Sequence, residues 1–497
     1  MRFSNANLGE FDVTSRATKV GFSWLAGLAV LGGCMIGSLL AVIMYCSDDA
    51  LAWLSLALVA SLLLLPLVAS AFAGRLDVFE PIFLVAISYF LYFVVAPAFD
   101  LLNDNTIFFG KEIRQLIPKG SIYASLGILS MFLGYYNNIG IRLSRLIPRP
   151  TKSVYGSVRY GLFLGGLGVI LFSAFLRGVG LSWIRLLSFG QFNRVPAVAE
   201  AGIIDSPFYN YLWSTMDWFA GSFMVLYAFA NRWRRALLPI FIAIFAVYCM
   251  MGFRFRVLIL VMAPLIYHFL RNRRRPKTIH IVGAIVLGFL IIGGLGAIRG
   301  NLRSATRIAV PSFKTIFETF LADLAIYQPF LVVIDAIPRV HDYYWGSSYA
   351  YVFIQPIPRA LWPDKPLAPI RDIISVSFGS EIPAQAGVFY PNLGEFYANY
   401  GLIGIVVGMF LFGISMRTLY EYLRRHADNE WARILFALSL PFLVQVVSRG
   451  YTVQIIQEAT FIIAPIIVGM WLSGRRTRRQ LSAFRPEMSA SVMHRRV

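Results

Sequence analysis

Ile279-His-Ile-Val-Gly-Ala-Ile-Val-Leu-Gly-Phe-Leu-Ile-Ile-Gly-Gly-Leu-Gly-Ala-Ile298 starts two residues after the basic run Arg271-Asn-Arg-Arg-Arg-Pro-Lys277 and is closed by Arg299. His280 is its one ionisable side chain. About 20 residues rising 1.5 Å each cross the ~30 Å hydrocarbon core of a bilayer. A helix of that length on a soluble protein keeps a polar face. This one has none, so lipid is its solvent. The basic run before it marks the cytoplasmic side, because short inner loops carry the excess of Lys and Arg.

The rest of the chain agrees. Of its 497 residues 58% are hydrophobic and 14% charged, where a soluble protein carries about 25% charged residues. Mean hydropathy is +0.67, and the 15% of aromatic residues suits interfacial belts. Cys34, Cys46 and Cys249 lie in or beside apolar runs with no CxxC spacing, which argues against a disulfide framework or a zinc site. The first apolar run, 21–46, is too long for a signal-peptide core and reads as an uncleaved span.

The expected fold is an all-α polytopic integral membrane protein with about twelve transmembrane helices and both termini in the cytoplasm. Residues 1–298 hold nine spans and a smaller outer loop at 177–207; 299–392 form a large outer loop between the ninth and tenth spans. Spans ten to twelve fill 393–474, and 475–497 form a basic inner tail. This arrangement puts the whole net charge of +20 on the inner face and leaves the outer face neutral. The basic runs are then explained by topology and anionic headgroups, not by nucleic acid. The apolar stretch 313–337 contains Lys314, Glu318, Asp323, Gln328 and Pro329, heavy for a lipid-facing span, and reads as an outer-face helix. The pairs Gly161/Gly165 and Gly404/Gly408 follow the small-residue spacing of close helix packing.

Charges on the outer face are the informative ones, since targeting does not explain them. Arg254 and Arg256 sit in Gly252-Phe-Arg-Phe-Arg256. Arg299, Arg303 and Arg307 recur every four residues and share a helical face. Arg359, Trp362 and Lys365 lie in a proline-rich stretch, and Arg449 heads Ser448-Arg449-Gly450-Tyr451. Arginine at the apolar edge of a membrane is costly unless it meets a cavity or an anion, and its planar fork suits phosphate oxygens. Snorkelling explains any one of them; convergence from several turns favours an anion site. Trp362 offers a face for sugar stacking or an interfacial anchor. Glu395 and Asn399, four apart at the start of the tenth span, share a face; Glu395 is a candidate base, an arginine partner or a dipole-favoured charge. The sequence has no GxxxxGK[ST] phosphate loop, no HExxH and no outer Asp-x-Asp for a divalent metal. No metal or other cofactor is expected.

Four motifs then occur in order: Gly252-Phe-Arg254, Ile357-Pro-Arg359-Ala-Leu-Trp362-Pro-Asp-Lys365-Pro366, Gly394-Glu395-Phe-Tyr397-Ala-Asn399-Tyr-Gly401 and Ser448-Arg449-Gly450. Together with the topology they resemble the Wzy-type O-antigen or oligosaccharide repeat-unit polymerases, including those acting on enterobacterial common antigen. The motifs cover the second half of the chain. The resemblance implies a GT-C-like glycosyltransferase of the bacterial inner membrane, active on the periplasmic face. Its substrates would be undecaprenyl-pyrophosphate-linked oligosaccharides, joined into O-antigen, common antigen or exopolysaccharide without a metal, with a chain-length regulator protein as a partner. Arg254, Arg359 and Arg449 would clamp pyrophosphate or acceptor, Arg256 and Lys365 would support them, and Tyr397, in the third motif, and Tyr451, just after the fourth, would bind substrate beside them. The rival readings are an O-antigen ligase of the same superfamily and a transporter or flippase for lipid-linked oligosaccharide.

Overall fold

The computed structural model describes residues 50–72, 77–151, 156–178, 207–230, 235–273, 276–298, 311–357, 361–366 and 389–474, with a few single positions between 180 and 186 and between 369 and 377. The first apolar run, Arg299, Arg303, Arg307, Arg359 and the basic tail lie outside the described residues. Those that are described are almost entirely helical. Their one strand pairing is a short hairpin, β1 (Ile107–Phe108) with β2 (Lys111–Glu112).

In chain order the helices are α1 (Ala50–Phe72), α2 (Pro81–Leu102), α3 (Ile117–Tyr136), α4 (Ile139–Leu146), α5 (Ser157–Gly178), α6 (Pro207–Ser214), α7 (Asp217–Phe229), α8 (Leu237–Met250) and α9 (Arg254–Arg271). There follow α10 (Ile279–Ile298), α11 (Phe313–Leu324), α12 (Tyr327–Ala336), α13 (Ser347–Ile354), α14 (Asn392–Arg425), α15 (Glu430–Ser448) and α16 (Thr452–Gly474). Among the described residues nine segments are long and apolar enough to cross a membrane: α1, α2, Arg114–Tyr136, α5, α10, Phe313–Ala336, α14, α15 and α16. The protein is a multi-pass, all-α membrane protein.

The runs expected as spans near 208–230, 236–252 and 257–270 are helical, as α6 with α7, α8 and α9; α7 has 13 residues and α8 has 14. One difference from the sequence reading has a physical cause: Phe313–Ala336 meets the length and hydropathy of a crossing, although its charges argued for an outer-face helix. Those charges are matched: Asp323 pairs with Arg254, and Lys314 lies 3.9 Å from Glu318. The stretch is also broken at Ala325–Ile326, between α11 and α12.

Irregular turns mark where the helices must bend. In α2 a π turn, Leu91–Val95, immediately precedes Ala96-Pro97; it accommodates a proline that has no N–H and crowds the preceding turn. In α14 the helix breaks at Tyr400 and Gly401, where Gly401 has φ +62°. The α3–α14 interface brings backbones together. A Cβ on Gly134 would lie 2.1 Å from the Phe410 carbonyl oxygen, and one on Gly413 equally close to that of Met131. Such close approach is how small residues bind helices where no hydrophobic effect operates. Gly161 and Gly165 instead receive side chains of α7, Leu226 and Ser222, and the Ser222 hydroxyl donates to the Gly161 carbonyl at 2.7 Å. Gly404 and Gly408 instead accept Phe396 of their own helix, folded back across the break.

α9 and α15 run antiparallel, which gives the bundle two distinct ends. At one, Arg271 lies 3.9 Å from Glu430 at the start of α15, and Arg425 donates to the Ile141 carbonyl of α4 at 3.1 Å. At the other, the start of α9 meets the turn after α15. That second end holds the candidate site.

Candidate active site

Helix α8 stops at a Schellman turn. Phe253 N–H donates to the Tyr248 carbonyl and Gly252 N–H to that of Cys249, both at 3.0 Å, with Gly252 at φ +73°. Helix α9 starts at once with Arg254. A cation in the first turn opposes the helix dipole, so both arginines there need carboxylates. Arg254 pairs with Asp323. Arg256 forms a two-pronged pair with Asp217, at 2.5 and 3.0 Å, and lies 4.0 Å from Glu458.

Arg449 arrives from the far end of α15. Its guanidinium sits 4.3 Å from the ring centre of Phe389 and 5.3 Å from that of Phe255, a cation–π cradle. Burial lowers its pKa below the ordinary arginine value, and nearby Arg256 adds to the shift while Glu458 opposes it. It forms no ion pair with a described residue. The turn itself is locked from behind. Gly450 N–H donates to the Tyr390 carbonyl at 2.9 Å, and a Cβ on Gly450 would lie 2.3 Å from the Asn392 backbone. Only glycine allows that approach.

Arg254 and Arg449 line one cavity of about 290 Å³, together with Tyr92, Asp323, Gln328 and Phe389. Two guanidinium groups from distant parts of the sequence therefore face one hollow, one of them without a carboxylate. Behind Arg449, Glu458 accepts from Gln445 and, at 2.9 Å, from Gln454. Asp217 and Glu458 lie with Arg256 in one buried group beside the cavity wall, where the Asp217–Arg256 pair offsets the cost of burying either charge.

The other sequence candidates occupy different places. Glu395 is fully buried. One carboxylate oxygen accepts from the Ser348 hydroxyl at 2.9 Å; the other accepts from Thr452 N–H at 2.8 Å and its hydroxyl at 2.6 Å. Glu395 is not among the residues lining the cavity. Asn399, also fully buried, donates to Ser348 at 2.7 Å and accepts from Gly346 N–H at 3.0 Å. Lys365 donates to the carbonyls of Gln355 at 2.8 Å and Ile357 at 2.9 Å, securing the chain just beyond α13. Tyr397 gives its hydroxyl to the Ile337 carbonyl at 3.0 Å, and Tyr451 packs in a small cluster with Tyr351 and Val453. Trp362 is 38% exposed, away from the lining of the cavity.

Sequence reasoning did not single out Asp217, Phe389, Tyr92, Ser348 or Thr452. Asp217 carried a usable signal, a carboxylate inside an apolar run. Phe389 carried none, because one aromatic among forty-one phenylalanines is distinguished only by what it faces.

No curated protein and no solved structure matches the chain. The family of the O-antigen polysaccharide polymerase Wzy matches over residues 204–476, a stretch that contains Arg254, Arg449 and every contact just described between them except Tyr92. With more than half of the chain matched, this membrane protein belongs to the O-antigen polysaccharide polymerase Wzy family.

Proposed function

We propose that the protein joins lipid-linked oligosaccharide repeat units into polysaccharide at the outer face of the inner membrane, with undecaprenyl pyrophosphate as the carrier. One observation carries the reading: Arg254 and Arg449 converge on a single cavity. In the reaction a hydroxyl of the acceptor unit attacks the anomeric carbon of the donor glycan. The bond from that carbon to the carrier diphosphate breaks, its electron pair leaves with the diphosphate, and the hydroxyl proton ends on that diphosphate or in water. Charge grows on the leaving group, so fixed cations aimed at it lower the barrier; loss of one such donor costs about 10²–10³ in rate. The Phe255–Phe389 cradle holds Arg449 in place before substrate arrives, so the donor needs no reorganisation as the charge develops.

Glu395 reads as a positioning residue. It grips Thr452, three residues past Arg449, and so fixes the turn that presents the guanidinium. Arg359, Arg299 and Arg303 remain candidates for further phosphate or acceptor contacts. Lipopolysaccharide from cells carrying Arg254→Ala or Arg449→Ala at normal protein level tests the reading. Chains of a single repeat unit are expected. Normal ladders from both variants would overturn it, and complete loss of O-chains would indicate a ligase.

A further inference from the structure

A larger hollow, of about 1230 Å³, above the ~300–1,000 Å³ of an ordinary small-molecule site, opens on the side of the bundle between the middle of α15 and its start. Phe412 and Leu419 of α14, Phe442 and Leu443 of α15, and Ile467 and Trp471 of α16 wall it. The strap Ile147-Pro148-Arg149-Pro150-Thr151 closes one end and is pinned where Asn429 donates to the Thr151 carbonyl at 2.7 Å.

The walls are apolar in effect as well as composition. The hydroxyls of Ser415 and Ser439 turn back to the Leu411 and Leu435 carbonyls of their own helices, at 2.9 and 2.8 Å. Water in such a hollow finds few of the two to four polar partners it needs, so the walls favour an apolar occupant. Ile467 is 46% and Trp471 52% exposed, so the hollow opens sideways, in the direction from which lipid comes.

The mouth is cationic. Arg149 lies between two prolines that fix its backbone, is exposed, and forms no ion pair with a described residue. Arg142 and Arg145 of α4 are exposed close by in the chain, and Arg425 is tied to α4 through Ile141. We infer that the hollow holds the acyl chains of an anionic phospholipid, with its phosphate against Arg149. This site is walled by residues 435–443 of α15, shares no lining residue with the cavity of Arg254 and Arg449, and does not depend on the functional reading above.

The test uses the full-length protein, exchanged in detergent against equimolar phosphatidylglycerol and phosphatidylcholine, with retained lipid read by native mass spectrometry. Phosphatidylglycerol is expected to be retained roughly fivefold over phosphatidylcholine, the scale of one cation near a headgroup. Arg149→Gln, an exposed change that leaves the fold intact, removes that preference. Leu443→Trp fills the hollow and removes retention of both lipids. Equal retention of the two lipids by the wild type, no retained lipid, or a lipid-free dimer closing the hollow with a second copy would each overturn the inference. So would an Arg149→Gln protein that keeps the wild-type preference.

Discussion

Glu395 accepts two hydrogen bonds from Thr452, from its backbone N–H at 2.8 Å and its hydroxyl at 2.6 Å, and thereby joins the start of α14 to the start of α16. Thr452 N–H is one of the unpaired donors of a helix N-terminus, where a carboxylate is favoured. Between α15 and α16 the chain has only Arg449, Gly450 and Tyr451, so a carboxylate holding Thr452 also sets the position of Arg449.

Glu395→Gln should therefore keep part of the activity, because an amide oxygen still accepts from Thr452, while Glu395→Ala should lose about tenfold more. Removing the acceptor leaves buried donors unpaired, at about 1–3 kcal/mol each. In an assay with purified protein and a lipid-linked repeat unit, Glu395→Gln should lower the rate without moving the pH profile. A profile that loses its acid limb would make Glu395 the base instead.

Phe389→Leu should weaken the cradle around Arg449. A cation–π contact is worth about 0.5–2 kcal/mol, so a loss of roughly twofold to thirtyfold in polymer synthesis is expected at normal protein level. Phe255→Leu, farther from the guanidinium at 5.3 Å, should do less. Equal activity of the Phe389 variant and the wild type would show that the cradle does not hold Arg449 for the reaction.

Gly450→Ala should remove folded protein from the membrane, because the added Cβ would lie 2.3 Å from backbone atoms of Asn392, which have no side-chain freedom to move aside. Membrane content measured by immunoblot checks this. Gly166→Ala is the control, since a Cβ there meets nothing within 4 Å.

Arg256→Gln should destabilise strongly, by about 3–5 kcal/mol, since it strands Asp217 as a buried charge. Adding Asp217→Asn should restore much of that stability without restoring a role in the cavity, which Arg256 does not line. Thermal unfolding in detergent, compared across the two single variants and the double, measures the coupling. Additive losses would contradict it.

Much of the helical architecture was legible from apolar run lengths, because bilayer thickness sets a length that any crossing helix must satisfy. The exceptions follow from side chains that a running count treats as isolated. Asp323 argued against a span in 313–337, yet it is one half of a pair with Arg254, sixty-nine positions earlier by residue number, and pairing changes what burial costs. The arginines that line the cavity stood out in the sequence because a cation that topology does not explain is rare at a membrane's apolar edge. Which of the candidate arginines share a hollow did not. Arg254 and Arg256 are two residues apart, and the helical turn sends one to the cavity and the other to Asp217. Lys365 likewise looked like a ligand residue in sequence, but the backbone carbonyls of Gln355 and Ile357 claim it.

Two guanidinium groups facing one cavity should hold one diphosphate. Equilibrium binding of a short-chain polyprenyl diphosphate to the purified protein, followed by calorimetry, measures this. Arg254→Ala and Arg449→Ala should each weaken binding by about tenfold or more, the scale of a charge-assisted hydrogen bond, while Arg273→Ala, whose partner Asp428 lies at the other end of the bundle, should bind as the wild type does. Unchanged affinity in both cavity variants, or an equal loss in Arg273→Ala, would contradict the account.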